Sequence, residues 1–214
     1  MSAKYKSPSF LLPNELNTNT NPLNTDGNPA TGTGINSLYS MDFDGTNYIS
    51  IGDNIALSGN KTVSFWFRAD NISGNNVVIG GNQSPTINYY PYITSTSICL
   101  RDSTGYDCLT VPAFSNNVWY HLCIVGNGTT ATVYIDGQPQ GTLNDKSPTI
   151  NTIGAFSNAA SAFYGSIDEV AIWNTELTST QVSEIYNATD TNLTKDLTTV
   201  SGSNLIYWNR MGDN

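Results

Sequence analysis

The chain has 214 residues, which is long enough to bury one sizeable hydrophobic core, and an all-β sandwich of this length usually forms a single domain. Charged residues make up only 12% of it, and the formal net charge is −9 at pH 7. This acidic balance argues against nucleic acid and anionic membranes as partners, because their phosphate groups attract Lys and Arg. No apolar run approaches the ~20 residues of a transmembrane helix, so no membrane insertion is expected.

Residues 1–35 are rich in Pro, Asn, Thr and Gly and show no hydrophobic period, apart from one apolar patch at Phe10, Leu11 and Leu12. Such a segment cannot build its own core, and we expect an extended N-terminal arm or linker. The arm is either a disordered tail or a segment that becomes ordered when the patch docks on a partner protein. We favour docking, because a free tail has little use for an apolar patch.

The region from residue 36 onward alternates short apolar segments with turn residues, which is the pattern of a β-sandwich. Ser37 to Ile51 predicts a strand, a tight turn at Asp44–Gly45 and a second strand, together a hairpin. Thr62 to Ala69 alternates apolar residues, and Trp66 falls on the opposite face from its neighbours Phe65 and Phe67. Both faces of this strand are therefore expected to be partly covered.

A tyrosine-rich segment follows a short strand between Asn75 and Asn82. Gln83 to Tyr92 contains several tyrosines beside a proline, and we expect an irregular loop. Core packing does not account for all of these rings, so the segment is the candidate glycan-binding surface. The candidate residues are Asn88, Tyr89, Tyr90, Tyr92 and, from the next turn, Tyr106. In the alternative interpretation, one or two of the rings cap the sandwich or contact a neighbouring subunit.

Cys99 and Cys108 flank a turn-rich segment that could form a hairpin. If Ser103–Thr104 is a two-residue loop, the two cysteines lie directly opposite each other and a cross-strand disulfide can form. The start of the chain lacks the apolar core of a signal peptide, so we expect synthesis in the cytoplasm without export by the general secretory route. That location favours two reduced thiols over the disulfide.

Two strongly apolar segments, Val118–Val125 and Ala131–Ile135, are predicted to pair across a glycine-containing turn. The chain has a single histidine, His121, and it lies inside the first of these strands. A Ser-His-Asp or Cys-His catalytic device would need this side chain to leave the core. We therefore interpret His121 as a structural residue, and Cys123 beside it as part of the core.

The segment Phe163–Tyr186 predicts a buried strand, a break and a short amphipathic helix. Thr178 and Gln181 have the spacing of a capping box, and Leu177 and Val182 have that of a hydrophobic staple. Leu205–Trp208 is expected to form a final strand.

Several of these segments together resemble concanavalin A-like jelly rolls of the laminin-G type. The resemblance covers residues 36–214 and rests on Met41–Ile51, Thr62–Ala69, Trp119–Gly141 and, most specifically, Gly165–Val182. It implies an all-β fold, a two-sheet antiparallel jelly-roll sandwich with one short helix towards the C-terminal side and an extended N-terminal arm.

Glycoside hydrolysis requires two carboxylates across a sugar, and enzymes of this fold class resemble one another in a strand whose acidic residues at i and i+2 lie on one face. This chain has no such Glu-x-Asp motif; Asp168 and Glu169 are adjacent and are expected on opposite faces, and Asp42 and Asp44 border a turn. We therefore expect no enzymatic activity. The resemblance also implies a structural Ca²⁺ held by Asp168 and by carbonyls near Asp44–Gly45, with Asp44 as the second candidate ligand residue. Alternatively, Asp168 accepts hydrogen bonds from backbone amides at the end of a neighbouring strand.

The first functional hypothesis is a non-enzymatic virion structural protein, a capsid decoration or fibre component made in the host cytoplasm. It would sit on the virion surface, attach to capsid or other virion proteins through the arm, assemble as a homo-oligomer and bind host-surface glycans. The segment Leu205–Asp213 also resembles the ends of laminin-G-like domains in phage structural proteins. The alternative is a soluble calcium-dependent lectin, and a glycoside hydrolase is the third hypothesis.

Overall fold

A computed structural model of the chain describes residues 35–36, 39–74, 76–82, 87–187 and 193–211. It confirms an all-β sandwich of two antiparallel sheets with seven strands each. Sheet I contains β2 (Met41–Asp44), β4 (Asn60–Ala69), β10 (Trp119–Asn127), β11 (Thr130–Ile135), β12 (Gln138–Asn144), β14 (Tyr164–Trp173) and β16 (Leu205–Asn209). Sheet II contains β3 (Ile49–Ala56), β5 (Asn76–Val77), β6 (Ile79–Gly80), β7 (Tyr89–Ile93), β8 (Ser97–Asp102), β9 (Gly105–Thr110) and β13 (Thr149–Ile153).

The strand order of sheet I is β12-β11-β10-β4-β14, and both β16 and β2 pair with β14. That of sheet II is β3-β13-β6-β7-β8-β9, with β5 also paired to β7. Outside the two sheets, β1 (Ile35–Asn36) pairs with β15 (Leu193–Thr194). One α-helix, α1 (Ser179–Asn187), follows β14, and two 3₁₀ helices lie at Leu197–Thr199 and Gly202–Asn204. Among the described residues, no helix has the length and apolar character needed to cross a membrane.

The predicted opening hairpin is not formed. Although β2 and β3 are joined by the turn after Asp44, β2 pairs with β14 in sheet I and β3 pairs with β13 in sheet II. The turn therefore carries the chain from one sheet to the other, which a local turn pattern does not reveal.

The main core fills the space between the inner faces of the two sheets. Alternate residues of β4 contribute Val63, Phe65 and Phe67, and β8 contributes Ile98 and Leu100, all at most 1% exposed. This alternation is what the sequence pattern predicted for the strand at 62–69. The side chains that alternate with these core residues along the same strands therefore point to the outer face of their sheet.

The outer face of sheet I is covered by α1 and by the segment that follows it. Trp173 is fully buried there with Cys123 and Val182, and Trp66 stacks on Tyr186 of the helix with ring centroids 5.8 Å apart. Burial also raises the pKa of the Cys123 thiol. The predicted core position of Cys123 and the double-sided coverage of the strand that carries Trp66 are confirmed.

Helix α1 begins with the predicted capping box. The Thr178 backbone amide donates to Oε1 of Gln181 at 2.9 Å, and the Gln181 amide donates to Oγ1 of Thr178 at 3.2 Å. Leu177 and Val182 are both buried on sheet I, as a hydrophobic staple requires. The cap and the staple thus fix the entry of the helix onto the sheet.

A buried ion pair that the sequence did not indicate ties the two sheets together at one end. Lys61 of β4 is 1% exposed, and its Nζ lies 2.6 Å from Oδ2 of Asp145, whose other carboxylate oxygen accepts from the Tyr90 hydroxyl at 3.0 Å. The Gly128 amide also donates to Oδ2, at 2.7 Å. Each charge is paired and hydrogen-bonded, which is the condition for keeping it inside a core.

Candidate functional site

The outer face of sheet II carries the aromatic residues that the sequence singled out. Across β7, β8 and β9, Tyr89 pairs with Arg101 and Arg101 pairs with Tyr106. In the next row, Tyr92 pairs with Cys99 and Cys99 with Cys108. We call the surface formed by Tyr89, Tyr92, Arg101 and Tyr106 the tyrosine face.

Tyr89 and Tyr92 share this face because the pairing of β7 with β8 shifts between them. In a regular strand, two residues three positions apart would point to opposite faces. The irregular segment contains the Tyr90–Pro91 peptide, which is cis. The two rings lie 5.3 Å apart, and Phe156 packs against Tyr89 at 6.1 Å.

Exposure differs strongly across the tyrosine face. Tyr89 is 8% exposed and Phe156 is 3% exposed, so they form its foundation. Among the described residues, Tyr106, at 65%, is the most exposed of the large apolar side chains. Burial raises the pKa of the Tyr89 and Tyr92 hydroxyls, and the neighbouring Arg101 partly offsets this for Tyr89. Both hydroxyls therefore stay protonated at neutral pH and can donate hydrogen bonds.

Arg101 is the residue of this face that the sequence analysis missed. Its guanidinium lies close enough to the Tyr89 hydroxyl to lower the pKa of that group, and 5.8 Å from the ring centroid of Tyr106. The period-2 pattern of β8, with Ile98 and Leu100 in the core, places Arg101 on the outer face. That pattern was present in the sequence, but the pairing with Tyr89 was not.

Tyr90 does not belong to the candidate site. It is 0% exposed, lies in the main core, and donates its hydroxyl to Asp145. Burial, followed by the Asp145 carboxylate, raises its pKa well above the usual value. The prediction of an irregular loop was wrong for Tyr89–Tyr92, because these residues form β7 and one of the tyrosines must face inward. Asn88 lies just before β7, and its backbone carbonyl accepts from the Gly81 amide at 3.1 Å.

The preference for reduced thiols at Cys99 and Cys108 was wrong. The two residues pair directly and form a disulfide, because Asp102 pairs with Gly105 and leaves Ser103–Thr104 as the two-residue loop. The pairing of Cys99 directly opposite Cys108, which the sequence analysis gave as one alternative, is therefore a better guide than the expected cytoplasmic location. The disulfide lies beside the row that holds Arg101 and Tyr106.

The two predicted calcium ligands are not brought together. Asp44 pairs with Tyr164, whereas Asp168 pairs with Trp66 four residues further along β14, which corresponds to roughly 13 Å of strand. Oδ1 of Asp44 accepts from the amide and hydroxyl of its own turn residue Thr46, at 3.0 and 2.6 Å. One ion cannot reach both carboxylates at the short distances that Ca²⁺ requires. Among the described residues, no three His, Cys, Asp or Glu side chains cluster as a metal site would need.

Asp168 is fully buried and accepts from the amide of the next residue of its own strand, Glu169, at 2.8 Å. The predicted alternation of Asp168 and Glu169 is broken by a bulge in β14, where Glu169 has a φ of 51°. Glu169 accepts from Trp208 Nε1 at 2.6 Å and from Thr194 Oγ1 at 2.9 Å. It thus fastens β15 and β16 to β14.

His121 is a buried structural residue, as predicted. It is 0% exposed, its Nε2 lies 2.8 Å from the Ser64 hydroxyl, and it packs against Trp66. Burial lowers its pKa to about 3, so the ring is neutral at physiological pH. The predicted docking residues Phe10, Leu11 and Leu12 lie outside the described residues.

Comparison with known proteins bears out the fold. A family model described as the concanavalin A-like lectin/glucanases superfamily matches residues 43–183. No curated protein matches the chain in sequence.

Three solved structures illustrate the fold. A proposed carbohydrate binding protein from Bacteroides ovatus has a TM-score of 0.58 at 16% identity, covering 80% of this chain and 50% of that one. Domain 4 of an extracellular arabinanase from Geobacillus stearothermophilus, in complex with arabinotriose, has a TM-score of 0.55 at 18% identity, covering 75% and 82%. A heptameric pentraxin from Limulus polyphemus has a TM-score of 0.53 at 16% identity, covering 73% and 85%.

Proposed function

The chain belongs to the concanavalin A-like lectin/glucanase superfamily, and from this premise we propose that it is a non-catalytic carbohydrate-binding domain whose binding surface is the tyrosine face of sheet II. The observation that carries the proposal is the row Tyr89–Arg101–Tyr106, which ends in a ring that is 65% exposed. Sugars suit such a surface, because an aromatic ring covers their apolar C–H faces while hydroxyl and guanidinium groups bind their oxygens.

The tyrosine face offers both kinds of contact within a short span. Tyr89 and Tyr106 are two strands apart, which corresponds to roughly 10 Å. The buried ring of Tyr89, packed against Phe156, holds its hydroxyl in place, while Tyr106 is exposed and free of such packing. A rigid foundation beside an exposed ring lowers the entropic cost of binding.

Binding without catalysis is supported by the composition of this face. The one histidine lies on sheet I, fully buried against Ser64. Glycoside hydrolysis needs two carboxylates across a sugar, whereas the tyrosine face as defined consists of tyrosines and an arginine. The Cys99–Cys108 disulfide supports a site of action outside the cytosol, since such bonds persist in oxidising surroundings.

The virion role remains a prediction about other parts of the chain. Attachment to capsid proteins depends on the arm at residues 1–35, and assembly as a homo-oligomer depends on contacts between copies. Glycan binding by the tyrosine face is compatible with display on a virion surface and with a soluble lectin.

Replacing Tyr106 by Ala tests the proposal. The intact chain is first screened on a glycan array that includes arabinose, galactose and sialic acid oligosaccharides, and the best ligand is then titrated by calorimetry. We expect Y106A to weaken binding at least about 10-fold, because it removes the exposed ring, while changing stability by less than about 0.5 kcal/mol.

Tyr164→Ala is the matched control. Tyr164 is an exposed tyrosine, 46% accessible, but it lies on β14 of sheet I. Y164A should bind as the natural chain does. Retention of no glycan at all, or equal losses in Y106A and Y164A, would contradict a binding site on the tyrosine face.

A further inference from the structure

The arginine of the tyrosine face differs from the other two arginines in its electrostatic surroundings. Arg68 lies 3.3 Å from a carboxylate oxygen of Asp70, and Arg210 lies 3.5 Å from one of Glu169. Within the described part of the chain, Arg101 has no carboxylate oxygen within 4.0 Å, the limit for an ion pair. Its positive charge is therefore not balanced locally.

Of the three lysines in the described residues, two are in ion pairs, and Lys146 has no carboxylate oxygen within 4.0 Å. Lys61 pairs with Asp145 and Lys195 with Glu184. Lys146 acts on Asp107, whose pKa is lowered first by the Asn144 backbone hydrogen bond and further by the Lys146 charge. Arg101 acts instead on a neutral group, the Tyr89 hydroxyl. In a chain with 17 acidic and 8 basic residues, a cation without an acidic partner is conspicuous.

The protein also leaves donors of Arg101 unused. The guanidinium has five N–H groups. Its Nε is buried and has no hydrogen-bond partner among the described residues, and its neighbours on this face are the Tyr89 hydroxyl and the Tyr106 ring. A planar guanidinium fits a carboxylate by two parallel hydrogen bonds, and such charge-assisted bonds are about twice as strong as neutral ones.

We propose that the tyrosine face selects sugars that carry a carboxylate group, and that Arg101 is the residue that recognises the acidic group. This inference rests on the proposed function and specifies its ligand. One unbalanced cation is complementary to one negative charge, whereas the net charge of −9 repels polyanionic glycans. The ligand class is therefore a singly acidic sugar, such as a sialic acid or a uronic acid at a chain end.

Calorimetric titration of matched sugar pairs tests the inference. The pairs are sialyllactose against lactose, and an oligosaccharide ending in galacturonic acid against the same one ending in galactose. We expect the natural chain to bind the acidic member about 10-fold or more tightly, which is the effect of one charge-assisted hydrogen bond. Arg101→Gln should reduce this ratio to about one, and Arg101→Lys should restore part of the ratio.

Arg68→Gln is the control, because it removes an arginine that already has an acidic partner and lies on sheet I. It should keep the full preference for acidic sugars. Equal binding of both members by the natural chain, or an unchanged preference in R101Q, would overturn the inference while leaving carbohydrate binding intact. Binding of neither member of either pair, with a blank glycan array, would overturn the proposed function itself. Sulfated lactose bound as tightly as sialyllactose would overturn the assignment of a carboxylate.

Discussion

The two outer faces of the sandwich differ in how far they are covered by the rest of the chain. The outer face of sheet I lies beneath α1 and the segment after it, where Trp173 is fully buried and its Nε1 donates to the Val200 carbonyl at 2.8 Å. The outer face of sheet II has no helix over it in the described chain, and its ring at Tyr106 stays 65% exposed. Aromatic residues thus serve packing on one face and remain available to a ligand on the other.

The polar groups show the same difference. On sheet I, Glu169 is 4% exposed and is satisfied by Trp208, Thr194 and Arg210. On sheet II, Arg101 keeps a charge that no carboxylate balances within ion-pair distance in the described residues. A buried group that is fully paired stabilises the fold, whereas an unpaired charge beside exposed rings can be paired by a ligand.

The largest effect is expected from Trp173→Ala on the covered face. This change removes a fully buried ring from the cluster that holds α1 to sheet I and leaves the Val200 carbonyl without its donor. The free energy of unfolding should fall by about 3–5 kcal/mol, as measured by urea denaturation followed by circular dichroism.

Ile206→Ala is the control for this experiment. Ile206 lies on β16 of the same sheet but is 47% exposed, so its truncation should change stability by less than about 0.5 kcal/mol. If W173A and I206A were equally mild, the helix-covered face would not be the stabilising one.

The covered face could be predicted from sequence because its signals are local. The capping box at Thr178 and Gln181, the staple at Leu177 and Val182, and the alternation in β4 each lie within a few residues. These patterns were sufficient to predict a helix that closes a sandwich. The position of β2 and β3 in different sheets was missed, because it depends on long-range pairing with β14 and β13.

The tyrosine face was predicted only in part for the same reason. The segment stood out because tyrosines cluster in it, but the sequence could not show that Tyr90 turns inward to Asp145. Arg101 joins the face through its register with Tyr89, which spans two strands and includes a shift. The separation of Asp44 and Asp168 was missed for a related reason, since it depends on where Asp44 pairs along β14, the strand that carries Asp168.

An intermediate effect is expected from Cys99→Ser combined with Cys108→Ser, which removes the covalent link beside the tyrosine face. Closing a loop with a sequence separation of 9 residues restricts the unfolded chain and should contribute about 2–3 kcal/mol. Urea denaturation of the double variant, and of the natural chain with and without reductant, measures this contribution.

Thiol labelling provides the control. In unfolded, unreduced protein only Cys123 should react with maleimide, and after reduction three cysteines should react. Labelling of three thiols before reduction would show that the disulfide is absent, and the stability of the double variant should then match that of the natural chain.

The smallest effect concerns Asp107, which connects the edge of sheet II to that of sheet I. Its Oδ2 accepts from the amide and the side chain of Asn144, the last residue of β12, both at 2.7 Å, and the backbone hydrogen bond is the first cause of its lowered pKa. A carboxyl whose pKa is lower in the folded chain adds stability above its unfolded pKa, and this stability is lost as the pH falls through the folded value. Asp107→Asn should therefore lower the melting temperature at pH 6, by an amount corresponding to about 1 kcal/mol or less, and the difference from the natural chain should shrink steadily below about pH 4.

Asp53→Asn, at an exposed position on β3 of sheet II, is the control and should have the same melting temperature as the natural chain at pH 6. A difference between D107N and the natural chain that stays constant down to pH 2.5 would mean that the Asn144 contacts do not depend on the Asp107 charge, and the two sheet edges would then be held by neutral hydrogen bonds alone.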